Sequence, residues 1–261
     1  MFADYHMHTN YSNDSTYEME DAILKAIELG VEEICFTEHS DYGPMGDYVV
    51  DYEEYYQGYL KLKEKYKNQI RIRFGCEFGI QKHTVDLYKK DFKKYPFDFI
   101  ILSNHQIDDQ EFWTQEYQKT RTQDEYNYGY YKAIYDIIQV YDDYSVLGHL
   151  DMIKRYDRIG NYPDEKVKDI IEKILKHIIA HDKGIEINTS CFRYGLDDLT
   201  PSRYILQMYK DLGGKMITVG SDTHEEGHVA YKIQYVYDVL KEMGFEYICT
   251  FDQMEPIYHH L

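Results

Sequence analysis

Six of the twelve histidines stand where an apolar run gives way to polar residues. His6 and His8 close the first such run, His39 follows Glu38 after the second, and Glu77 and His105 end the third and fourth. His149 ends the fifth, while Asp222 and His224 end the seventh. In extended chain, residues i and i+2 point the same way, so His6 and His8 can reach one ion, as can Asp222 and His224. Asp14, in the Asn-, Ser- and Asp-rich stretch after the first run, can join them. Imidazole and carboxylate donors suit Zn, Mn or Fe, and so many of them suggest more than one ion. At close quarters such a cluster needs a cation. The other six histidines have ordinary structural readings. His177 and His181 form an i, i+4 pair on a helix, His259 and His260 sit near the terminus, and His83 and His228 end no apolar run.

Positioning these residues falls to alternating elements. Short apolar runs at 3–6, 33–37, 70–76, 97–103, 146–150, 184–188 and 216–220 read as strands, with a further run at 247–251. Between them lie helical patterns at 18–29, 53–67, 85–94, 124–141, 164–181, 202–212 and 229–243. In the fifth, Val167, Ile170, Ile171, Ile174, Leu175 and Ile178 fall on one face. Seven strand–helix alternations predict an α/β fold with a parallel sheet, and the length favours closure into a barrel. In such a barrel the C-terminal strand ends converge on one mouth, which is where the candidate ligands fall. No Gly-, Ser- or Pro-rich linker divides residues 1–261, so a single domain is expected. The non-periodic stretch 106–123 is a candidate lid or substrate loop, and the tyrosines between 106 and 131 read as half-exposed packing.

Composition narrows the partners. With 29 basic and 47 acidic side chains, the formal net charge is −18, which suits neither a nucleic-acid backbone nor an anionic membrane surface. No segment approaches the roughly 20 apolar residues of a membrane span. The N-terminal residues carry no secretory signal pattern, and Cys35, Cys76, Cys191 and Cys249 form no CxxC pair, so a cytoplasmic setting is expected. His224-Glu225-Glu226-Gly227-His228 fits the HExxH pattern of zinc proteases. That chemistry needs both histidines one turn apart in a helix, whereas this segment leaves a strand through a turn and contains Gly227.

The order of these pieces resembles the PHP (polymerase and histidinol phosphatase) superfamily along nearly the whole chain. His6–Thr9 as HxHT, Thr37-Glu38-His39, Gly75-Cys76-Glu77, His105, Gly148-His149 and Ser221-Asp222-Thr223-His224 carry the resemblance. Asn104–Asp108, Gly148–Asp151 followed by Lys154-Arg155-Tyr156, and Glu186–Ser190 followed by Arg193 are most similar to the monofunctional histidinol-phosphate phosphatases. The resemblance implies a distorted (β/α)7 TIM-like barrel with two or three divalent ions, Zn, Fe or Mn, at the C-terminal ends of the strands. One ion would take His6, His8, Glu77 and Asp222. A second would share Glu77 and add His105 and His149, and a third would use Asp14, His39 and His224.

The implied activity is hydrolysis of the small phosphomonoester L-histidinol phosphate to L-histidinol and phosphate, a step of histidine biosynthesis. A hydroxide bridging the first two ions beside Glu77 would attack phosphorus in line. Arg155 and Arg193 would hold the non-bridging oxygens, since a guanidinium forks onto phosphate. Other readings are a PHP phosphoesterase acting on nucleotides or oligonucleotides, a non-catalytic metal-binding module, and the zinc protease.

Overall fold

Seven parallel strands pair in chain order into a nearly closed barrel: Ala3–Met7, Glu33–Asp41, Arg71–Gly79, Phe99–Ser103, Val146–Leu147, Gly184–Asn188 and Ile217–Gly220. The structure, a computed structural model, describes residues 1–43 and 48–261. The seam between first and last strands is bridged in parallel at Met7 and Thr223. There the His8 N–H donates to Thr223 O at 2.8 Å and the Thr223 N–H to His6 O at 3.2 Å. A helix follows each strand in turn: Met19–Glu28, Tyr52–Tyr66, Val85–Phe92, Gln123–Ile138, Lys168–Ala180, Arg203–Asp211 and Ile233–Glu242. The mixed α/β barrel expected from strand–helix alternation is therefore the observed fold.

Alternation along each strand separates two cores. Phe36, Phe74, Cys76, Phe78, Ile100 and Leu102 face the helices. Tyr5, Cys35, Phe99, Ile101 and Val146 form a separate interior cluster with Cys249 and Phe251. Those last two come from the strand Tyr247–Asp252, which lies outside the barrel sheet. It pairs antiparallel with Glu255–His260, so His259 and His260 belong to a hairpin strand. Phe251 reaches Phe99, the ring centroids 5.0 Å apart, and the barrel interior is apolar at that end. Polar chemistry is left to the other end.

Tyrosine supplies much of the helix-side packing. Tyr52, Tyr55, Tyr59 and Tyr66 form the buried face of the second helix, which Asp51 caps by accepting the Glu53 and Glu54 N–H groups. The Tyr55 hydroxyl lies 3.0 Å from the carbonyls of both Phe36 and Gly75, and Tyr88 likewise meets Ser40 O and Gly79 O. A phenol can be buried when its hydroxyl finds such a carbonyl. The tyrosines expected to be half-exposed are mostly core residues: Tyr117, Tyr126, Tyr130 and Tyr131 are buried, and Tyr128 is exposed. The stretch 106–123 holds a small hairpin, Gln106–Ile107 with Gln110–Glu111, and the short helix Glu116–Lys119.

Three C-terminal strand ends differ from expectation by more than one residue. The second and third strands run on to Asp41 and Gly79, so His39 and Glu77 lie within the sheet and pair directly in register. The fifth stops at Leu147, because the chain turns at His149 with φ +20°.

Candidate active site

One irregularity of the first strand aims the site. Asp4 pairs with Ile34 but Met7 with Phe36, so the first strand carries an extra residue between those points. Such a bulge shifts the alternation and re-aims side chains. Tyr5 therefore points into the apolar end of the barrel while the next residue, His6, also points inward, toward the polar end.

All nine sequence-derived ligand candidates gather there. His6 Nε2 and His8 Nε2 are 2.9 Å apart. Glu77 Oε2 lies 3.2 Å from His6 Nε2 and 3.4 Å from His8 Nε2. Asp222 Oδ1 completes this group at 3.7 and 3.6 Å from the same nitrogens. The other Glu77 oxygen lies 3.2 Å from His105 Nε2 and 2.8 Å from His149 Nε2. Asp14 Oδ2 stands 3.0 Å from His224 Nε2 and 3.4 Å from His39 Nε2. His39 also reaches Glu77, its Nδ1 3.2 Å from Oε2. One carboxylate thus borders five imidazoles.

The donor set fits divalent cations. Two lone pairs at the His6–His8 separation repel, and one shared proton would serve only one neighbour while two carboxylates crowd the same point. A cation accepts all of these donors together. Electrostatics points the same way. Burial works against charge on His6 and His39, yet the surrounding carboxylates hold both well above the usual imidazole range. His105 is pushed up to about 10, Asp41 and Glu77 outweighing its burial. Burial would raise the Glu77 carboxyl, but His6, His105 and His39 hold it well below the ordinary value. His8 is driven down by burial and by neighbouring His39 and His224. The pocket's carboxylates thus call for positive charge that protons or metal ions can supply. Three groups, His8 with His39 and His224, His6 with His8 and Asp222, and His39 with Glu77 and His105, each bring their donor atoms close enough together to hold a metal ion.

Several residues that support these side chains were not singled out from sequence. Asp41 Oδ1 accepts from His105 Nδ1 at 2.7 Å. Ser12 Oγ lies 3.2 Å from His8 Nδ1, accepts the His39 N–H at 3.0 Å and donates to Glu38 Oε2 at 2.6 Å. Glu186 meets His6 Nδ1 in a short hydrogen bond. Such contacts fix which ring nitrogen faces the ion. Inward alternation from His39 to Asp41 and from Glu186 to Asn188 is the sequence signal that points to two of them.

The two arginines part company. The Arg155 side chain is buried, with one terminal nitrogen 2.6 Å from Ser190 Oγ and 3.1 Å from Asn188 Oδ1 and the other 3.4 Å from Asp222 Oδ2. It lines a cavity of about 330 Å³ that also meets Glu77, His105 and Asp222. Arg193 is anchored to the turn that carries Asp222. Its fork donates to the carbonyls of Ser221 and Asp222, both at 2.8 Å, and it is not among the cavity-lining residues. Asp222 has φ +57°, so this fork secures a turn in the left-handed region. The HExxH decoy also resolves: Glu226–His228 is a short 3-10 turn, His224 meets Asp14, and His228 pairs with Glu225 at 3.0 Å.

The PHP domain matches residues 4–190. The chain belongs to the PHP family. Among curated relatives of this PHP protein, the histidinol-phosphatase of Lactococcus lactis subsp. lactis (strain IL1403) is 34% identical, covering 97% of this chain and 95% of that protein. A probable histidinol-phosphatase of Thermotoga maritima is 30% identical over 95% of this chain and 94% of its own length. In three dimensions the PHP barrel matches the crystal structure of the Lactococcus lactis histidinol phosphate phosphatase complexed with zinc, L-histidinol and phosphate. The TM-score is 0.86 at 32% identity, covering 98% of both chains.

Proposed function

We propose that this PHP protein is a histidinol-phosphatase that hydrolyses L-histidinol phosphate to L-histidinol and phosphate, a step of histidine biosynthesis. The observation that carries this reading is the convergence, on one mouth of the barrel, of nine metal-ligand candidates and a cavity-facing Arg155 whose side chain is buried. The Lactococcus lactis relative, which holds zinc, L-histidinol and phosphate, supports the same substrate. Held by these nine residues, two or three divalent ions, zinc, iron or manganese, would supply hydroxide near neutral pH and neutralise phosphoryl charge. Glu77 bridges the first two ligand groups, since each of its oxygens faces a different one. Arg155 directs its terminal nitrogens to non-bridging phosphoryl oxygens. Arg193 holds the Asp222 turn through two of its N–H groups and offers the remaining ones to the phosphoryl oxygens. Residues 1–261 act as one domain, and the acidic surface favours a small phosphomonoester over nucleic acid or membrane. Four buried free thiols suit the reducing cytoplasm.

The cavity away from the ligands suits the rest of the substrate. Trp113, Tyr156 and Tyr194 form an aromatic wall on which an imidazole ring can pack. Two acidic residues of the small hairpin line the same cavity. Asp109 is engaged by Gln81 Nε2 at 2.8 Å and by His83 at 3.2 Å. The Glu111 carboxylate, by contrast, has no side-chain partner among the described residues and is free for the ammonium group. Glu111→Gln is expected to raise KM by about tenfold, the size of one charge-assisted contact, with kcat little changed. Steady-state kinetics with L-histidinol phosphate checks this; an unchanged KM would assign the ammonium elsewhere.

The direct test is phosphate release from L-histidinol phosphate, with metals counted on the same sample. A kcat/KM of about 10⁴ M⁻¹s⁻¹ or more with two or three ions per chain is expected. Metal-replete protein that spares this substrate but cleaves nucleotides would move the activity to the nucleotide phosphoesterases.

A further inference from the structure

Glu186 belongs to none of the candidate ligand sets, yet it touches two of them. It lies on the sixth strand and is wholly buried. Its Oε1 meets His6 Nδ1 in a short hydrogen bond, and its Oε2 accepts the His149 N–H at 2.8 Å. Asn188 Nδ2 also donates to Oε2, at 3.4 Å. Two glycines leave the space for this carboxylate. A Cβ on Gly220 would stand 2.7 Å from Oε1 and 2.2 Å from His6 Cβ. A Cβ on Gly148 would lie 2.5 Å from Ser103 Oγ and 3.6 Å from Oε2.

The contacts have directions. With a carboxylate oxygen at His6 Nδ1, that nitrogen carries a ring proton, and the nitrogen left to offer its lone pair to a cation is Nε2, which faces Glu77, His8 and Asp222. The Asn188 amide, 3.4 Å from the same ring nitrogen, is the longer contact. The other oxygen holds the backbone of His149, whose φ of +20° is one that L residues rarely adopt. That turn aims the imidazole at Glu77. We propose that Glu186 is a positioning residue for two metal-ligand groups at once, setting the His6 tautomer in one and the His149 backbone in the other. This rests on reading His6 and His149 as ligands and is independent of the substrate.

Glu186→Gln makes the inference testable, because Gln keeps the shape and loses one acceptor. The backbone N–H of His149 and the amide of Asn188 can only donate, so the Gln oxygen serves them and its NH2 group faces His6. His6 Nδ1 must then accept, which moves the ring proton to Nε2, the nitrogen that faces the ion. Zinc titrations against a chromophoric chelator are expected to show one ion bound about 10–100-fold more weakly than in the wild type. The circular dichroism spectrum of the metal-free variant should match that of the metal-free wild type, so that weakened zinc binding is read on a folded chain. Wild-type affinity for every ion in Glu186→Gln would overturn the proposal. Should that variant not fold, ¹⁵N NMR of the zinc-loaded wild type decides. A His6 ring protonated on Nδ1 and bare on Nε2 supports the proposal, and the reverse overturns it. A wild-type chain that takes up no zinc overturns the ligand reading and this inference together.

Discussion

Glu77→Gln is expected to lower kcat/KM for L-histidinol phosphate by about 10³-fold or more, and to lower metal content with it. The loss corresponds to about 4 kcal/mol of transition-state stabilisation. Gln has nearly the shape of Glu, so packing at this wholly interior position should survive; the charge and one acceptor do not. In the wild type one oxygen receives Ser103 Oγ at 2.6 Å and faces His105 and His149. The other faces His6, His8 and His39. Whichever way the amide turns, its NH2 group displaces an acceptor that faces ring nitrogens on one side of the bridge. A cation held between neutral imidazoles and an amide also loses the anion that balances it. Elemental analysis, a melting curve and kinetics on one preparation separate the effects. A folded variant with full metal content and activity within tenfold of wild type would remove Glu77 from the bridging position.

That residue also shows what sequence reveals and what it withholds. Glu77 is recognisable because it follows an apolar run, and a barrel gathers strand ends whatever joins them. The same reasoning reaches His39, but it ends both strands too early. Hydrophobicity falls at residue 37 in one and 76 in the other, while the hydrogen-bonded ladder continues to Asp41 and Gly79. At the fifth strand it errs the other way, since Gly148-His149-Leu150 continues the apolar pattern although the chain turns at His149. The partner of the Tyr247–Asp252 strand escaped notice because Glu-Pro-Ile-Tyr-His-His is polar, exposed on most of its length and interrupted by Pro256. Supporting residues are harder still. Ser12, Asp41 and Glu186 act through hydrogen bonds whose partners are set by the three-dimensional approach of strands, and Glu186 is 180 residues from His6. Arg193 marks the clearest limit. Its residue type serves a phosphate or a backbone carbonyl equally well, and nothing in the sequence shows that the Ser221–Asp222 turn folds back toward it and takes part of its donor set.

Arg155→Ala is expected to reduce kcat/KM about 10²–10³-fold with metal content retained, the usual cost of losing one preorganised donor to a developing oxyanion. Its surroundings argue for a ligand beyond the protein. The side chain is almost fully buried, and its terminal nitrogens meet Ser190, Asn188 and Asp222, while Nε has no partner among the described residues. The Asp222 contact, at 3.4 Å, is the longest of these and bears on an oxygen opposite the one that faces His6 and His8. A guanidinium held this way keeps donor capacity on the cavity side, next to the ligand cluster. Removing it should leave the ion-holding atoms in place and weaken phosphate recognition. Inorganic phosphate as a competitive inhibitor should therefore lose affinity in Arg155→Ala, and Arg155→Lys should recover only part of it, because an ammonium supplies charge without the planar fork. The pairing of lost phosphate affinity with retained metal is what distinguishes Arg155 from Glu77. If Arg155→Ala loses its metal instead, the arginine acts by holding Asp222, and the phosphoryl group must be met by other donors.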